Sequence, residues 1–252
     1  MGAPVVSSAG DGPRPAFYAL ERGGWRDYVT LLHPPYTAWH LSYVVVGGCL
    51  APDVAWGRLG LTVLAFALAM GVGAHALDEL AGRPLRTEIP AAGLVALAIT
   101  SVLAASAIGI AVAIDSTLWI LPFVAVGAIL VPAYNLEWLG GLVHTDLGFA
   151  LAWGAFPLLT AFVAQTGTIR AEALLAAAWA TGLSLAQRAL STPVRDLRRT
   201  VVRISGALER NDGSSEVLDR ATLVAGPERA LRLLTLSTIG LAAALVAFRI
   251  SL

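Results

Sequence analysis

Residues 71–90 have the sequence GVGAHALDELAGRPLRTEIP. An apolar segment leads here into His75, Asp78 and Glu79, and two arginines follow directly. An imidazole and carboxylates at the end of a membrane helix are suited to hold a divalent metal ion, and guanidinium groups beside them are suited to hold a diphosphate. If a helix continues through residue 80, the three side chains stand at positions i, i+3 and i+4 and face a common point. The stretch therefore predicts a combined metal and diphosphate site.

The composition is that of a polytopic membrane protein. Hydrophobic residues make up 57% of the 252, charged residues only 13%, and the mean hydropathy is +0.72, which is above the range of soluble globular domains. Cys49 is the only cysteine, which excludes a disulfide framework and a cysteine-based zinc site. Residues 1–32 are polar and lack the apolar core of a cleaved signal peptide. We expect one membrane domain over residues 1–252, with a cytoplasmic N-terminal segment over residues 1–32.

Seven largely uncharged apolar runs approach the roughly 20 residues needed to cross a bilayer. They cover residues 35–52, 58–78, 91–114, 117–135, 146–165, 172–188 and 230–249. All 17 basic residues are arginines, concentrated before the first run and after the second and sixth. Because cytoplasmic loops carry the excess of positive charge, we expect the N-terminus in the cytoplasm and the C-terminus outside, in the inner (plasma) membrane of a bacterium. This topology explains the arginines, so nucleic-acid binding is not expected.

Under this topology three inner connections carry nearly all the reactive side chains and converge on one face. These side chains are His75, Asp78, Glu79, Arg83 and Arg86 in the first connection, Glu137, His144 and Asp146 in the second, and Arg188, Arg195, Asp196, Arg198 and Arg199 in the third. Side chains from three loops at one end of a helical bundle predict a cavity mouth that opens to the cytoplasm or the inner leaflet.

The third inner connection, residues 189–229, is long. Residues 193–210 place apolar side chains at spacings of three and four, which predicts an amphipathic helix lying on the membrane surface. Residues 211–215, NDGSS, predict a turn, and Pro227 with Glu228 predicts a helix start before the last span.

Several short motifs lie within these predicted spans or next to their ends. They are His33-Pro34-Pro35 before the first span, Gly82-Arg83-Pro84-Leu85 after an Asp-bearing helix end, Tyr134 ahead of Gly148 and Trp153-Gly154, and Gln187-Arg188 ahead of Arg195-Asp196. Over roughly residues 33–200 the chain thereby resembles the UbiA superfamily of intramembrane prenyltransferases, in which N-D-x-x-D-x-x-x-D leads into R-P-L. Against that first motif the chain offers Ala74, His75, Asp78 and Gly82, and Asp196 is the one acid in the place of the second motif.

The resemblance implies an all-α membrane protein, a UbiA-like helical bundle with about seven transmembrane helices around a central cavity. It implies that aspartates bind Mg²⁺, that the metal holds an isoprenoid diphosphate, and that a carbocation-like prenyl group forms in a dry cavity. We predict Asp78, Glu79, Arg188 and Asp196 as catalytic residues and Arg83, Arg86, Tyr134, Asn135, Gln187 and Arg195 as substrate-binding residues. The predicted metal ligands are His75, Asp78, Glu79, Glu137, His144 and Asp146.

Other interpretations of the same residues stay open. Two imidazoles with several carboxylates suit Fe, Mn or Zn better than Mg²⁺, so the scaffold could carry a transition-metal site for terpene cyclisation, redox or hydrolytic lipid chemistry. His75 could instead bond a helix carbonyl, and the inner arginines could pair with nearby acids or with membrane lipid headgroups. A non-catalytic membrane assembly partner also explains the incomplete aspartate motifs. A transporter is less expected, because the charges lie at helix ends and not near the bilayer midplane.

Overall fold

A computed structural model describes residues 14–251, so the predictions for residues 1–13 lie outside the described part of the chain. Within these residues the chain forms nine helices and one short β-hairpin. The helices are α1 (Trp25–Leu31), α2 (Pro34–Cys49), α3 (Trp56–Gly82), α4 (Ala91–Asp115), α5 (Ile120–Asn135), α6 (Trp138–Gly141), α7 (Asp146–Thr166), α8 (Ala171–Arg199) and α9 (Arg220–Ile250). The hairpin pairs β1 (Ala207–Glu209) with β2 (Ser215–Val217) in antiparallel register.

The class of protein follows from four of these helices. α3, α4, α7 and α9 are long and apolar enough to cross a membrane, and α5 is a shorter apolar helix. Helices α2 and α8 also coincide with predicted spans but do not meet the same combined criterion of length and hydropathy. The prediction of an all-α membrane protein is confirmed at this level, and a bundle of seven crossings stays a prediction.

Recognisable sequence signals start several of these helices. α2 begins at Pro34, where a missing N–H has no cost because the first turn leaves its amides unpaired. α7 begins after Thr145, whose hydroxyl accepts from Gly148 N at 2.9 Å. α9 begins after Asp219, whose carboxylate accepts from Thr222 N at 2.7 Å. These caps lie at the starts of α7 and α9, both at the end of the bundle that holds the polar loops.

Polar contacts at the opposite end join the loops that were predicted to be external. Arg58 at the start of α3 bonds Asp115 at the end of α4 at 3.2 Å. Near the end of α9, Arg249 donates to the Cys49 carbonyl at 2.8 Å. The short connections after α2, α4 and α7 thus lie at one end, and the long helices run up and down between two polar ends.

Helix α2 lies at the centre of the core. Trp39 and Tyr43 are completely buried there, and the Trp39 indole donates to the Tyr43 hydroxyl at 2.5 Å. They pack with Leu158 of α7 and with Ala180 of α8. A Cβ added to Gly47 would lie 2.1 Å from the Leu158 carbonyl oxygen. Only glycine at position 47 therefore allows the α2 and α7 backbones to approach this closely.

The predicted amphipathic helix over residues 193–210 is wrong beyond residue 199. Helix α8 continues without a break to Arg199, and the chain then turns into the β-hairpin. The Arg220 guanidinium donates to the carbonyl oxygens of Leu197 and Val201 at 2.8 and 2.7 Å. These bonds replace the backbone hydrogen bonds that such carbonyl oxygens would accept if the helix continued. Apolar spacing alone did not reveal this long-range cap.

The rest of that connection is partly as predicted. The turn predicted at residues 211–215 lies between the strands at residues 210–214, with Gly213 in the left-handed region at φ 82°. The helix start predicted at Pro227 is wrong, because α9 begins at Arg220 and Pro227 lies inside it. Pro227 is at the eighth position of the helix, and the stronger Asp219 cap upstream determines where the helix starts.

We expect Gly47→Ala to lower the free energy of unfolding by about 3 kcal/mol, because the added methyl group meets backbone and the two helices must separate. Thermal unfolding in detergent measures the effect. Gly60→Ala in α3 is the matched control, because a Cβ there meets nothing within 4 Å. The control should lie within about 1 kcal/mol of the parent, on the stabilising side. Equal stability of the two variants would contradict the proposed close approach.

Candidate functional site

A cavity of about 410 Å³ lies at the polar end of the bundle. Its walls come from α2, α3, α5, α7 and α8, from the loop before α7, and from residues 15–18 of the N-terminal segment. All four histidines of the chain line it: His33, His40, His75 and His144. Another part of its wall is apolar and aromatic and is formed by Met70, Phe149 and Trp153. The cavity thus joins a charged mouth to a hydrophobic interior.

Arginines of α8 form one wall of this cavity. Arg188, Arg195 and Arg199 are spaced seven and four residues apart and so share a helix face. Arg188 is paired with Asp146 at 2.7 Å, whereas Arg195 and Arg199 have no acidic partner within 4 Å among residues 14–251. Burial, together with Arg188 and Arg199, lowers the pKa of Arg195 below its usual value. Arg195 and Arg199 thus present positive charge that no directly paired carboxylate neutralises, and this favours a bound anion. Asp78, which also lines the cavity, acts on Arg195 in the opposite sense.

The N-terminal segment and helix α9 both contact arginines near this wall. Arg198 pairs with Glu228 of α9 at 2.6 Å. Arg199 donates from Nε to the Pro15 carbonyl at 3.4 Å. The guanidinium of Arg232 lies 4.7 Å from the centre of the Phe17 ring, at cation–π distance. The N-terminal segment thus lies against the arginine-bearing helices.

Three of the histidines are held in the same way. Nδ1 of His40 lies 2.9 Å from the carbonyl oxygen of Trp153. The Nδ1 atoms of His75 and His144 lie 3.1 and 3.0 Å from carbonyl oxygens of α3 and α5. A carbonyl oxygen only accepts, so Nδ1 carries the proton in each of these bonds. In the neutral ring, Nε2 is then a proton acceptor.

The fourth histidine, His33, lies at the start of α2. The Tyr18 hydroxyl is 2.9 Å from its Nδ1, and its ring stacks on His75 with centroids 4.1 Å apart. Burial and the nearby His75 lower the pKa of His33 well below its usual value. His33 is therefore neutral at physiological pH.

Unpaired polar atoms concentrate in the same cavity. His33 Nε2, the Tyr134 hydroxyl oxygen and Gln187 Oε1 are the buried side-chain atoms without a hydrogen-bond partner in the part of the chain that the structure describes. All three residues line the cavity. A buried polar atom without a partner costs about 1–3 kcal/mol. All three can gain a partner when water or a polar ligand enters the cavity.

Two π-helical segments contribute to the wall of the cavity. They are Ala67–Ala74 within α3 and Leu151–Ala155 within α7. Met70 of the first and Trp153 of the second belong to one buried cluster with Tyr134. Segments of π-helix are uncommon and occur often at functional sites, which agrees with the position of this cavity.

The structure brings together most, but not all, of the predicted site residues. The cavity is lined by His75, Asp78, Tyr134, Asn135, His144, Gln187, Arg188, Arg195 and Asp196. The other predicted residues do not line it: Glu79, Arg83, Arg86, Glu137 and Asp146. Adjacent helical residues point about 100° apart, so Asp78 and Glu79 cannot both face the same space.

Glu79 has a structural position, which corrects the expectation that it shares a point with His75 and Asp78. Its side chain is fully buried and accepts from Leu85 N at 2.9 Å, from Thr87 N at 2.8 Å and from the Thr87 hydroxyl at 2.9 Å. The carboxylate thereby fixes the loop that follows α3.

The two arginines of that loop also serve its conformation. Arg83 and Arg86 both adopt left-handed backbone, with φ of 51° and 58°. Arg83 donates to the carbonyl oxygens of Thr87 and Ile89 at 3.3 and 2.6 Å. The predicted diphosphate contacts of both arginines are not supported by this geometry, because neither residue lines the cavity.

No group of three or more His, Cys, Asp or Glu side chains within residues 14–251 is placed to hold a metal ion. Glu137 lies 4.0 Å from His144 Nδ1, and its side chain is 66% exposed. The Asp146 side chain is 70% exposed and bonds Arg188. The six predicted ligands are therefore not brought together as a protein-only site: His75, Asp78, Glu79, Glu137, His144 and Asp146.

Several lining residues were not predicted as site residues: Tyr18, His33, Tyr36, His40, Arg198 and Arg199. Tyr18 and Tyr36 pack edge to face with centroids 5.7 Å apart. The sequence offered one signal, a pair of aromatic residues at 17–18 within an otherwise polar segment. That signal does not show where the segment folds.

Comparison with known proteins finds no match: no family model, no curated protein and no solved structure matches this chain.

We expect Glu79→Ala to lower the free energy of unfolding by about 3 kcal/mol, because three buried donors lose their acceptor. Glu172→Ala is the matched control, since Glu172 is half exposed and lies 3.8 Å from Arg170. The control should change stability by less than about 0.5 kcal/mol. Chemical denaturation measures both, with inorganic diphosphate binding measured in parallel. A Glu79→Ala protein of normal stability that no longer binds diphosphate would return Glu79 to the site.

Proposed function

We propose that this protein is an intramembrane enzyme of UbiA-like architecture that acts on an isoprenoid diphosphate and transfers its prenyl group to an acceptor. The observation that carries the proposal is the pair of arginines, Arg195 and Arg199, that lack acidic partners within residues 14–251 beside a cavity with an apolar, aromatic interior. A ligand that satisfies both parts is an amphiphile with a highly charged anionic end. An isoprenoid diphosphate has this chemistry.

The two acids that match the family motifs support the same proposal. Asp78 of α3 and Asp196 of α8 line one cavity from different helices. Mg²⁺ is usually bound by one or two carboxylates together with substrate phosphates and water, without a dedicated protein cage. Two acids fit that mode, whereas a preformed Fe, Mn or Zn site needs more protein ligands. Bound Mg²⁺ would neutralise charge on the diphosphate.

Other residues that line the cavity have roles that are consistent with this reaction. Arg188, Arg195 and Arg199 stabilise the negative charge of the departing diphosphate. Tyr134 and Gln187, each with an unpaired buried oxygen, orient the acceptor by hydrogen bonds, and Asn135 lies beside them at the cavity wall. The apolar wall excludes water from the reactive prenyl group.

The orientation in the membrane belongs to the same proposal. We place the cavity and the N-terminal segment at the cytoplasmic face of a bacterial inner membrane. The arginines of the cavity end, from the N-terminal segment, the loop after α3 and the region from Arg188 to Arg232, greatly outnumber those at the opposite end, Arg58, Arg170 and Arg249. The positive-inside rule favours this orientation.

We expect Arg195→Gln to weaken binding of inorganic diphosphate by about tenfold or more, because a buried charge-assisted contact is lost. Isothermal titration of the purified protein in detergent, with Mg²⁺ present, measures the affinity. Arg203→Gln is the matched control, because Arg203 is an exposed arginine outside the cavity.

If the parent protein binds neither diphosphate nor a labelled prenyl diphosphate, the enzyme proposal fails and an assembly partner is the better interpretation. Bound iron, manganese or zinc without diphosphate release would favour the transition-metal enzyme.

Asp78→Asn should change diphosphate binding in opposite directions with and without Mg²⁺. Without the metal, the variant should bind more tightly, because a negative charge that repels the anion is removed. With Mg²⁺, it should bind about tenfold more weakly, a difference of roughly 1.4 kcal/mol, because a metal ligand is lost. Asp53→Asn, at the opposite end of the bundle, is the control and should change neither value. A change in the same direction under both conditions would remove Asp78 from the metal site.

A further inference from the structure

We propose that His40 accepts the proton of the acceptor substrate and that this acceptor reacts through a hydroxyl group. The inference rests on the proposed function and adds to it the chemical class of the second substrate. His40 lies in the middle of α2 and was not predicted as a site residue. The residue is 5% exposed and lines the cavity.

Pro157 explains why the ring of His40 is held in one orientation. In an α-helix the carbonyl of Trp153 would accept from the amide of residue 157, and Pro157 has no N–H to donate. The π-helical segment Leu151–Ala155 includes this carbonyl, and His40 Nδ1 lies 2.9 Å from it. The Trp153 carbonyl of α7 thus accepts a hydrogen bond from a side chain of α2.

This bond determines which nitrogen of His40 faces the substrate. Nδ1 must carry the proton to donate to the carbonyl, so Nε2 holds the free lone pair. Nε2 of His40 has no hydrogen-bond partner within residues 14–251. Phe149 and Tyr43 pack edge to face on the ring, with centroids 5.7 and 5.9 Å away. These contacts keep the imidazole from rotating.

Four acceptor atoms belong to residues that line the cavity. His40, His75 and His144 each present Nε2, and Gln187 presents an unpaired Oε1. Acceptors are satisfied by a ligand that brings its own O–H or N–H donors. A compound with one or more hydroxyl groups meets this demand, whereas a hydrocarbon or a fully deprotonated anion does not.

The reaction that follows is balanced without a further reagent. The C–O bond between the prenyl carbon and the diphosphate breaks, and the electron pair leaves with the diphosphate. The hydroxyl oxygen of the acceptor bonds that carbon to form an ether, while its proton moves to Nε2 of His40. The imidazolium returns the proton to water when the products leave.

The tautomer of His40 can be tested without any substrate. Protein labelled with ¹⁵N-histidine, in detergent at neutral pH, should show a pyridine-like Nε2 and a protonated Nδ1 for the ring whose signals disappear in His40→Gln. A protonated Nε2 on that ring would overturn the proposal, because it has no lone pair to accept a proton.

The second measurement follows prenyl transfer from labelled geranylgeranyl diphosphate, with Mg²⁺, to glycerol, glycerol phosphate or glucose. The parent protein should form an ether with at least one of them. His40→Gln should lower kcat by about 10²–10⁴-fold with little change in KM for the diphosphate. Added imidazole should restore part of the rate in His40→Ala, and a purely structural role for His40 would not produce this rescue.

The outcomes separate this inference from the proposed function. A parent protein that binds no diphosphate overturns both. A parent that releases diphosphate but forms no ether with any hydroxyl compound overturns the inference alone, as does a His40→Gln protein that transfers at the parent rate. Asp53→Asn is the negative control in both measurements, since Asp53 lies outside the cavity.

Discussion

The contact between α2 and α7 is the constraint on which the bundle and its cavity both depend. At one level Gly47 lets the α2 backbone approach the Leu158 carbonyl, closer than any side chain would allow. Nearer the polar end, His40 of the same helix bonds the Trp153 carbonyl. A close backbone contact and a buried hydrogen bond thus fix the same helix pair twice, which determines how α2 is rotated. That rotation places His40 at the cavity wall.

The electrostatics of the cavity depend on an unequal distribution of partners. Arg188 and Arg198 have acidic partners, whereas Arg195 and Arg199 have none within residues 14–251. Arginines at the end of a membrane helix serve equally well as topology anchors, so their presence alone is weak support for a site. Their arrangement on one face of α8, around a cavity that also holds unpaired buried oxygens, favours a bound anion over lipid anchoring.

The stretch at residues 71–90 shows how local pattern and tertiary position divide a motif. Asp78 faces the cavity, and its neighbour Glu79 turns away to hold the loop that contains Arg83. The sequence spacing allowed both acids to face a common point, and the actual rotation of the helix allowed only one. The Arg83-Pro84-Leu85 segment, which carries the resemblance to R-P-L, lies in a loop that Glu79 holds and does not line the cavity.

The amino-acid sequence by itself determined the membrane class and the positions of the long helices, because the length and hydropathy of an apolar run are local properties. It also predicted that polar side chains from three connections gather at one end of the bundle, and residues from each of these regions line the cavity. Only the tertiary structure decided that His40 and the N-terminal Tyr18 belong to the cavity and that Glu137 and Asp146 do not. Those assignments depend on helix rotation and on long-range partners, such as the carbonyl of Trp153 for His40 and the guanidinium of Arg220 for the end of α8. Such partners are far apart in the chain, and no spacing within one helix specifies them.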